Sequence, residues 1–246
     1  MLRRIKLKLK CDAFGVRKFV PGDILQGVIM ENICTNYAET LHSQGVNPYS
    51  QYVRAGNASA DWIVQTLTKE ASQEILTPLL SPEFTSFYLK RWGKTVHITE
   101  KTESEVPDLV GQFYFDQSDR VFRLNFITPT SFKRDGEYVF HPDLRLIYGS
   151  LMRKHTALHE GDEIDEDILD TLTKNTKIVR YDLKSNYSEI GRVRIPAFTG
   201  MIVIKVGGAQ ALVNYLNFLL HYGEYCGVGI KCAMGMGAIR INERER

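Results

Sequence analysis

The chain has 246 residues, 43% hydrophobic and 24% charged, which is the composition of an ordinary soluble globular protein with room for one large domain or two small ones. No apolar run approaches the ~20 residues of a membrane-spanning helix, and the strictly alternating stretch Met1–Lys10 lacks the unbroken apolar core of a signal peptide. The composition therefore excludes a membrane helix and predicts a cytoplasmic protein with no membrane partner.

The four cysteines, Cys11, Cys34, Cys226 and Cys232, include no Cys-x-x-Cys pair. This spacing argues against a structural zinc site and is typical of a reducing compartment, in which thiols stay free. We expect no metal and no cofactor.

The net charge is only +2, but the charges are unevenly distributed. Seven acidic residues and no basic residue lie between Glu160 and Asp170, and removing these seven negative charges leaves +9 on the rest of the chain. The run predicts a solvated loop and the start of a helix. The remainder of the protein is basic.

The first half of the chain predicts the order strand, helix, strand, strand, helix, strand. Leu2–Lys10 alternates between apolar and polar residues as a half-buried strand does, and Pro21 and Asp23 mark the start of a helix behind it. The elements predicted next are a short helix, Asn36–His42, the strands Ser50–Arg54 and Asp61–Thr68, a helix, Lys69–Leu80, and the strands Phe84–Arg91 and Lys94–Lys101. This is the order of a ferredoxin-like domain.

The second half repeats this order loosely. A polar stretch, Glu105–Asp119, contains the predicted boundary between an N-terminal domain of residues 1–115 and a C-terminal domain of residues 116–246. The elements predicted after the boundary are a strand, Arg120–Ile127, a helix, Pro142–Lys154, the strands Ile178–Leu183, Arg192–Ile195 and Met201–Val206, a helix, Ala209–Tyr222, and a last strand, Ala238–Ile241. The predicted fold class is α+β, with tandem ferredoxin-like (RRM-like) domains and a C-terminal glycine-rich loop.

The most specific motif is the loop between Gly227 and Gly237, Gly-Val-Gly-Ile-Lys-Cys-Ala-Met-Gly-Met-Gly. Glycines permit positive φ angles, and successive exposed N–H groups bind phosphate oxygens, to which Lys231 would add a positive charge. The loop lacks the Gly-Lys-Ser/Thr end of a P-loop, and it follows a helix, whereas a dinucleotide-binding fingerprint follows a strand. A glycine-rich turn that only allows tight packing is the alternative.

Five segments resemble, in the same order along the chain, motifs of the CRISPR-associated repeat-processing endoribonucleases, the RAMP nucleases that mature crRNA. They are Leu25–Met30, Leu41–Ser50, Ile127–Lys133, Ile195–Gly200 and Tyr225–Ile241. The pattern is most similar to members that accompany type III interference complexes. The resemblance implies a metal-independent endoribonuclease that cuts CRISPR repeat RNA in the precursor transcript to give mature crRNA.

The resemblance also places the catalytic histidine at His42. In the implied reaction the ribose 2′-OH attacks the adjacent phosphate and leaves a 2′,3′-cyclic phosphate and a 5′-OH, so the nucleophile is already in the substrate. An imidazole can take the 2′-OH proton or protonate the departing oxygen. Relatives can have a tyrosine where this chain has Met30 and a lysine where it has Asn47. Tyr37 and Lys231 are therefore the candidate assistants, with packing and plain phosphate contact as their alternative roles.

Repeat RNA is expected to bind largely through its phosphates. The predicted RNA-binding residues are Gly227, Gly229, Lys231, Gly235 and Gly237 of the loop and the basic residues Lys133, Arg134, Arg145, Arg192 and Arg194. A type III effector complex that receives the product and a second copy of the chain are further predicted partners. Two alternative functions stay open: a non-catalytic RNA-binding subunit of a CRISPR effector complex, and an unrelated nucleotide-using enzyme.

Overall fold

The computed structural model describes residues 2–11, 22–56, 59–90, 93–104, 106–115, 118–159, 161 and 163–241. The chain divides into two compact units, Met1–Val106 with Ala233–Gly235, and Pro107–Cys232 with Met236–Arg246. Within the described ranges, every helix is too short or too polar to cross a membrane. Among the residues named in the sequence predictions, Met1, Pro21, Arg91, Glu105 and Glu160 lie outside the described residues.

The first unit is ferredoxin-like and contains one five-stranded antiparallel sheet. Its strands are β1 (Arg3–Lys10), β2 (Tyr49–Ala55), β3 (Ala60–Thr66), β4 (Ser86–Leu89) and β5 (Lys94–Ser104), in the spatial order β2-β3-β1-β5-β4. Its helices are α1 (Gly22–Asn32), α2 (Thr35–Ser43), α3 (Lys69–Ala71) and α4 (Thr77–Leu80), with a π-helical turn, Ser72–Leu76, between the last two. The predicted order of elements is confirmed.

The alternating sequence of β1 explains its place inside the sheet. Ile5, Leu7 and Leu9 are fully buried, and β1 pairs antiparallel with both β3 and β5. The same core includes Leu25 and Ile29, which lie one turn apart on α1. Burying each of these side chains stabilises the fold by about 1.5–3 kcal/mol before chain entropy is counted.

The second unit has the same topology. Its strands are β6 (Val121–Thr130), β7 (Phe132–Arg134), β8 (Glu137–Val139), β9 (Thr176–Ile190), β10 (Val193–Val206) and β11 (Ile239–Ile241). Its helices are α5 (Leu109–Phe113), α6 (Leu144–His159), α7 (Glu166–Asn175) and α8 (Gln210–Cys226). The main sheet has the order β11-β6-β10-β9, and β7 and β8 form a separate hairpin. The four main strands are β1, β2, β3 and β5 in the first unit, where β4 is an additional edge strand, and β6, β9, β10 and β11 in the second. Numbered one to four in chain order within each unit, both sets have the spatial order 4-1-3-2.

Three details of the second unit differ from the sequence predictions. Arg192–Ile195 and Met201–Val206 were predicted as separate strands, but β10 is continuous, because the chain passes the Pro-Ala-Phe-Thr-Gly segment in extended form with a register shift at Gly200. The helix α5 and the β7–β8 hairpin were not predicted. The helix start in the acidic run is confirmed, since Asp165 caps α7 by accepting the backbone N–H of Ile168 (2.9 Å).

Candidate functional site

Helix α2 carries the predicted catalytic histidine on its solvent side. Tyr37 and Leu41 of this helix are buried in the core of the first unit, whereas His42 is exposed. The helix ends directly after His42, where Gln44 donates its backbone N–H to the carbonyl oxygen of Thr40 (3.1 Å). This last turn fixes the backbone of His42 and leaves its imidazole open to a substrate.

Tyr37, the first predicted assistant, is a core residue. It is 5% exposed, and its hydroxyl is buried without a hydrogen-bond partner among the described residues. Burial, together with the carboxylates of Glu70 and Glu74, raises the pKa of Tyr37 well above its ordinary value. A buried phenol that stays protonated cannot exchange protons with a substrate, so these contacts favour the packing role.

The glycine loop, residues 227–237, is a turn in which several backbone amides already have acceptors within the chain. Among those that donate within the chain are Val228 to Gly237 O (2.8 Å), Gly229 to Ser150 Oγ (2.9 Å), Ile230 to Ser131 O (3.0 Å) and Gly237 to Pro129 O (3.0 Å). These four N–H groups already have acceptors within the chain, so they are not available to a phosphate. The tight-packing alternative therefore accounts for this part of the loop.

Backbone geometry explains the glycines of this loop. Gly227, Gly229, Gly235 and Gly237 have φ angles of +68°, +75°, +90° and +71°. A Cβ at Gly229 would overlap the carbonyl oxygen of Ser131, and one at Gly237 would overlap that of Val228. Any side chain at these two positions would force the backbone to move.

Lys231, the second predicted assistant, is exposed on this turn. Its φ of +58° is a left-handed conformation that is uncommon for a residue with a Cβ and costs about 1–2 kcal/mol. Its carbonyl accepts the backbone N–H of Met236 (3.2 Å), which closes the turn. Lys231 therefore presents its positive charge to solvent from a turn whose backbone is fixed.

Residues Ala233–Gly235 belong to the first unit, where Gln51 of β2 holds them. Gln51 is 1% exposed, and its Nε2 donates to the carbonyl oxygens of Ala233 (2.8 Å) and Gly22 (3.0 Å). Its Oε1 accepts the indole N–H of Trp62 (2.6 Å). Sequence reasoning does not find Gln51, because nothing in a strand pattern indicates a contact with a residue 182 positions away.

Among the predicted basic contacts, Arg145 is compensated by acidic residues. Its guanidinium pairs with Glu166 (2.5 Å) and with Asp170, both on α7. These carboxylates raise the pKa of Arg145 further, with Asp170 as the larger cause. The acidic run is therefore more than a solvated segment. Because two of its carboxylates compensate the positive charge of Arg145, this residue attracts a phosphate less than the sequence predicts.

The other predicted basic residues are also exposed, in different surroundings. Arg134 pairs with Asp143 (3.2 Å), and the Arg194 guanidinium lies 3.9 Å from the ring centroid of Tyr187. Lys133 lies on the β7–β8 hairpin and Arg192 on the turn between β9 and β10. The hairpin and this turn therefore present basic side chains to solvent.

Metal-binding side chains are not grouped in the described part of the chain, where no three His, Cys, Asp or Glu residues could hold a metal ion together. His155 and His159, one turn apart on α6, have ring centroids 5.1 Å apart. Both rings also contact Tyr222. These contacts indicate side-chain packing.

Comparison with known proteins identifies the family. The sequence model described as CRISPR-associated endoribonuclease Cas6 matches residues 124–239. A Cas6 endoribonuclease of Mycobacterium tuberculosis (strain CDC 1551 / Oshkosh) is 39% identical over 245 residues, which are 98% of this chain and 78% of the relative. That of Streptococcus thermophilus is 38% identical over 221 residues, which are 89% of this chain and 90% of the relative.

The fold comparison agrees with the sequence comparison. A solved Cas6 product complex is similar with a TM-score of 0.82 at 21% identity, over 98% of this chain and 99% of that one. This similarity confirms the tandem ferredoxin-like fold. Because the relatives are so similar over nearly the whole sequence, the chain belongs to the Cas6 family of CRISPR-associated endoribonucleases.

Proposed function

We propose that this protein cuts CRISPR repeat RNA in the precursor transcript and so produces mature crRNA. The observation that carries the proposal is the 39% identity to a Cas6 endoribonuclease over 98% of the chain. The position of His42, exposed at the end of α2, adds to it. A non-catalytic RNA-binding subunit would need no accessible imidazole at this position.

The proposed reaction is a transesterification within the RNA. The 2′-oxygen attacks the adjacent phosphorus, the bond from phosphorus to the 5′-oxygen breaks, and the products are a 2′,3′-cyclic phosphate and a 5′-OH. His42 takes the 2′-OH proton or protonates the departing 5′-oxygen, which contributes about 100- to 10,000-fold to the rate. No metal takes part in this scheme, because the nucleophile is the substrate's own hydroxyl.

RNA binding is assigned to the basic surfaces of the second unit. Lys231 is the proposed cation at a phosphate, and the exposed residues Lys133, Arg192 and Arg194 are proposed backbone contacts. Phosphate contacts release counterions, so affinity is expected to fall as salt rises. The glycines contribute by allowing the turn that presents Lys231.

Further partners belong to the same proposal. A type III effector complex that receives the product and a second copy of the chain are the proposed protein partners. We place the reaction in the cytoplasm, which keeps thiols reduced. The cysteines Cys34, Cys226 and Cys232 are thiols, as that compartment favours.

A cleavage assay with a chelator tests the reaction. Repeat RNA is incubated with native protein and with His42→Ala, and a second substrate carries a 2′-deoxy sugar at the cut site. We expect native protein to cut the all-ribose substrate and not the 2′-deoxy substrate. Its rate on the all-ribose substrate should be at least ~100-fold above that of His42→Ala. His97→Ala, which changes an exposed histidine on β5 of the same unit, is the matched control and is expected to cut like native protein.

Each failure has a separate meaning. Binding without cutting by native protein would favour the non-catalytic subunit. Cutting by native protein that stops when the chelator is added would refute the metal-independent scheme. Equal cutting by His42→Ala would remove His42 from the reaction.

A further inference from the structure

Lys154, near the end of α6, is directed at the glycine loop. Its ammonium donates to three acceptors: Gly227 O (2.9 Å), Cys232 Sγ (3.0 Å) and Cys226 O (3.3 Å). A lysine ammonium has three N–H donors, so these contacts use its full capacity. The side chain is only partly exposed.

The two carbonyl acceptors lie at the end of α8. Cys226 is the last residue of the helix, and Gly227 is its C-cap. The final carbonyls of a helix lack intrahelical partners and form the negative end of its dipole, where a cation is stabilising. Lys154 therefore satisfies the helix end at the point where the loop begins.

The third acceptor lies inside the loop. Cys232 is 7% exposed, and a Cβ added at Gly227 or Gly237 would approach its sulfur to 2.9 or 3.0 Å. The sulfur is thus packed between the first and last residues of the loop. Lys154 contacts both the entry of the loop and Cys232, the residue that directly follows Lys231.

We propose that Lys154 is a positioning residue, which fixes the glycine loop and thereby the backbone of Lys231, and that it does not itself contact RNA. The effect on RNA rests on the proposed function, whereas the effect on the loop does not. Without the ammonium, the carbonyls at the end of α8 lose their charged donor, and the hydrogen-bonded bridge from the loop entry to the Cys232 sulfur through Lys154 is gone.

Hydrogen exchange in the absence of RNA tests the effect on the loop. Lys154→Met keeps the length of the side chain and removes the ammonium, and Lys174→Met makes the same change on α7, where the lysine side chain is 77% exposed. We expect amides in peptides covering residues 227–237 to exchange about 10- to 100-fold faster in Lys154→Met, because three partly buried hydrogen bonds to the ammonium are lost. Peptides from residues 22–104 in Lys154→Met, and all peptides of Lys174→Met, are expected to exchange like those of native protein. Loop exchange equal in the two variants overturns the proposal.

A milder variant covers the case in which Lys154→Met does not fold. Cys232→Ala removes one acceptor of the ammonium, together with the weak thiol contacts to the Val228 and Gly229 carbonyls, and leaves the ammonium on the helix end. We expect it to speed exchange of the same loop peptides by about 3-fold. No change there would also overturn the proposal.

Binding of repeat RNA tests the path through Lys231. Affinities of native protein, Lys154→Met, Lys231→Met and the double variant form a cycle, measured by filter binding at several salt concentrations. If Lys154 acts through Lys231, adding Lys154→Met to Lys231→Met weakens binding by less than about 2-fold. If the affinity losses of the two single variants multiply in the double variant, and the slope of log affinity against log salt concentration is about 0.7 smaller for Lys154→Met alone, then Lys154 contacts a phosphate itself. That result overturns the proposal. If native protein neither binds nor cuts the RNA, the proposed function fails, and the exchange experiment still decides the role of Lys154 in the loop.

Discussion

The buried carboxamide of Gln51 is expected to be one of the most sensitive positions of the first unit. Gln51→Leu preserves side-chain size and removes all three hydrogen bonds of the carboxamide. The indole N–H of Trp62, which is 0% exposed, and the carbonyl of Ala233, which is 5% exposed, then have no partner. Gly22 is only half-buried, so water can reach its carbonyl.

The size of the effect follows from these burials. An unsatisfied buried polar group costs about 1–3 kcal/mol, and two such groups remain after the change. Burial of the more apolar leucine returns roughly 1 kcal/mol. We therefore expect the free energy of unfolding to fall by about 1–5 kcal/mol.

Urea unfolding followed by circular dichroism measures this change. Gln44→Leu makes the same substitution at an exposed position of the same unit and is expected to stay within about 0.5 kcal/mol of native protein. Gln51→Glu keeps an acceptor for Trp62 but has no donor for the two carbonyls, and it is expected to destabilise at least as much as Gln51→Leu. A Gln51→Leu protein as stable as the Gln44→Leu control would refute the reasoning.

Three further changes have defined outcomes. Gly229→Ala places a Cβ against the Ser131 carbonyl at a positive φ and should lower the unfolding free energy by about 2 kcal/mol or more in urea; a neutral change would contradict the overlap. Burial opposes ionisation of Glu224, but a hydrogen bond to His221 and nearby positive charge and backbone N–H outweigh it and lower the pKa of the carboxyl. The carboxylate therefore stabilises the fold above its unfolded pKa of ~4.3 and loses this effect as pH falls through the lower folded value. Glu224→Gln should cost about 1 kcal/mol at pH 7 and progressively less towards pH 3, and an equal cost at both pH values would argue against this linkage. Tyr37→Phe removes a buried hydroxyl that has no partner among the described residues, so cleavage should stay within about 2-fold of native and stability should not fall; a 100-fold slower cleavage would instead make Tyr37 a catalytic residue.

The regular elements were predictable because their patterns are local. The alternation of β1 and the apolar side of α8 lie within single stretches of sequence, and both indicate buried faces. The shorter α5 and the β7–β8 hairpin escaped prediction, since elements of three to five residues have too few positions to show a period.

The site was predictable in part, for a related reason. The predicted helix Asn36–His42 places His42 at a helix end, and α2 indeed ends one residue after it; the exposure of its side chain is read from the structure. The glycines of the loop indicate a special backbone, but whether its amides face phosphate or protein depends on acceptors such as Ser150, which lies 79 residues from Gly229 in the sequence. Such partners come together only in the folded chain, so neither the occupied amides nor the contacts of Lys154 could be inferred beforehand.

Two segments near the end of the sequence complete the two units, and this affects how the protein folds during synthesis. Ala233–Gly235 complete the first unit, and β11 completes the sheet of the second by pairing with β6. Both segments leave the ribosome after almost everything they pack against, so each unit stays incomplete through most of translation. Closing contacts that span so much chain is slow, and the open edge of β6 and the empty place beside Gln51 would be surfaces on which chaperones or premature association could act.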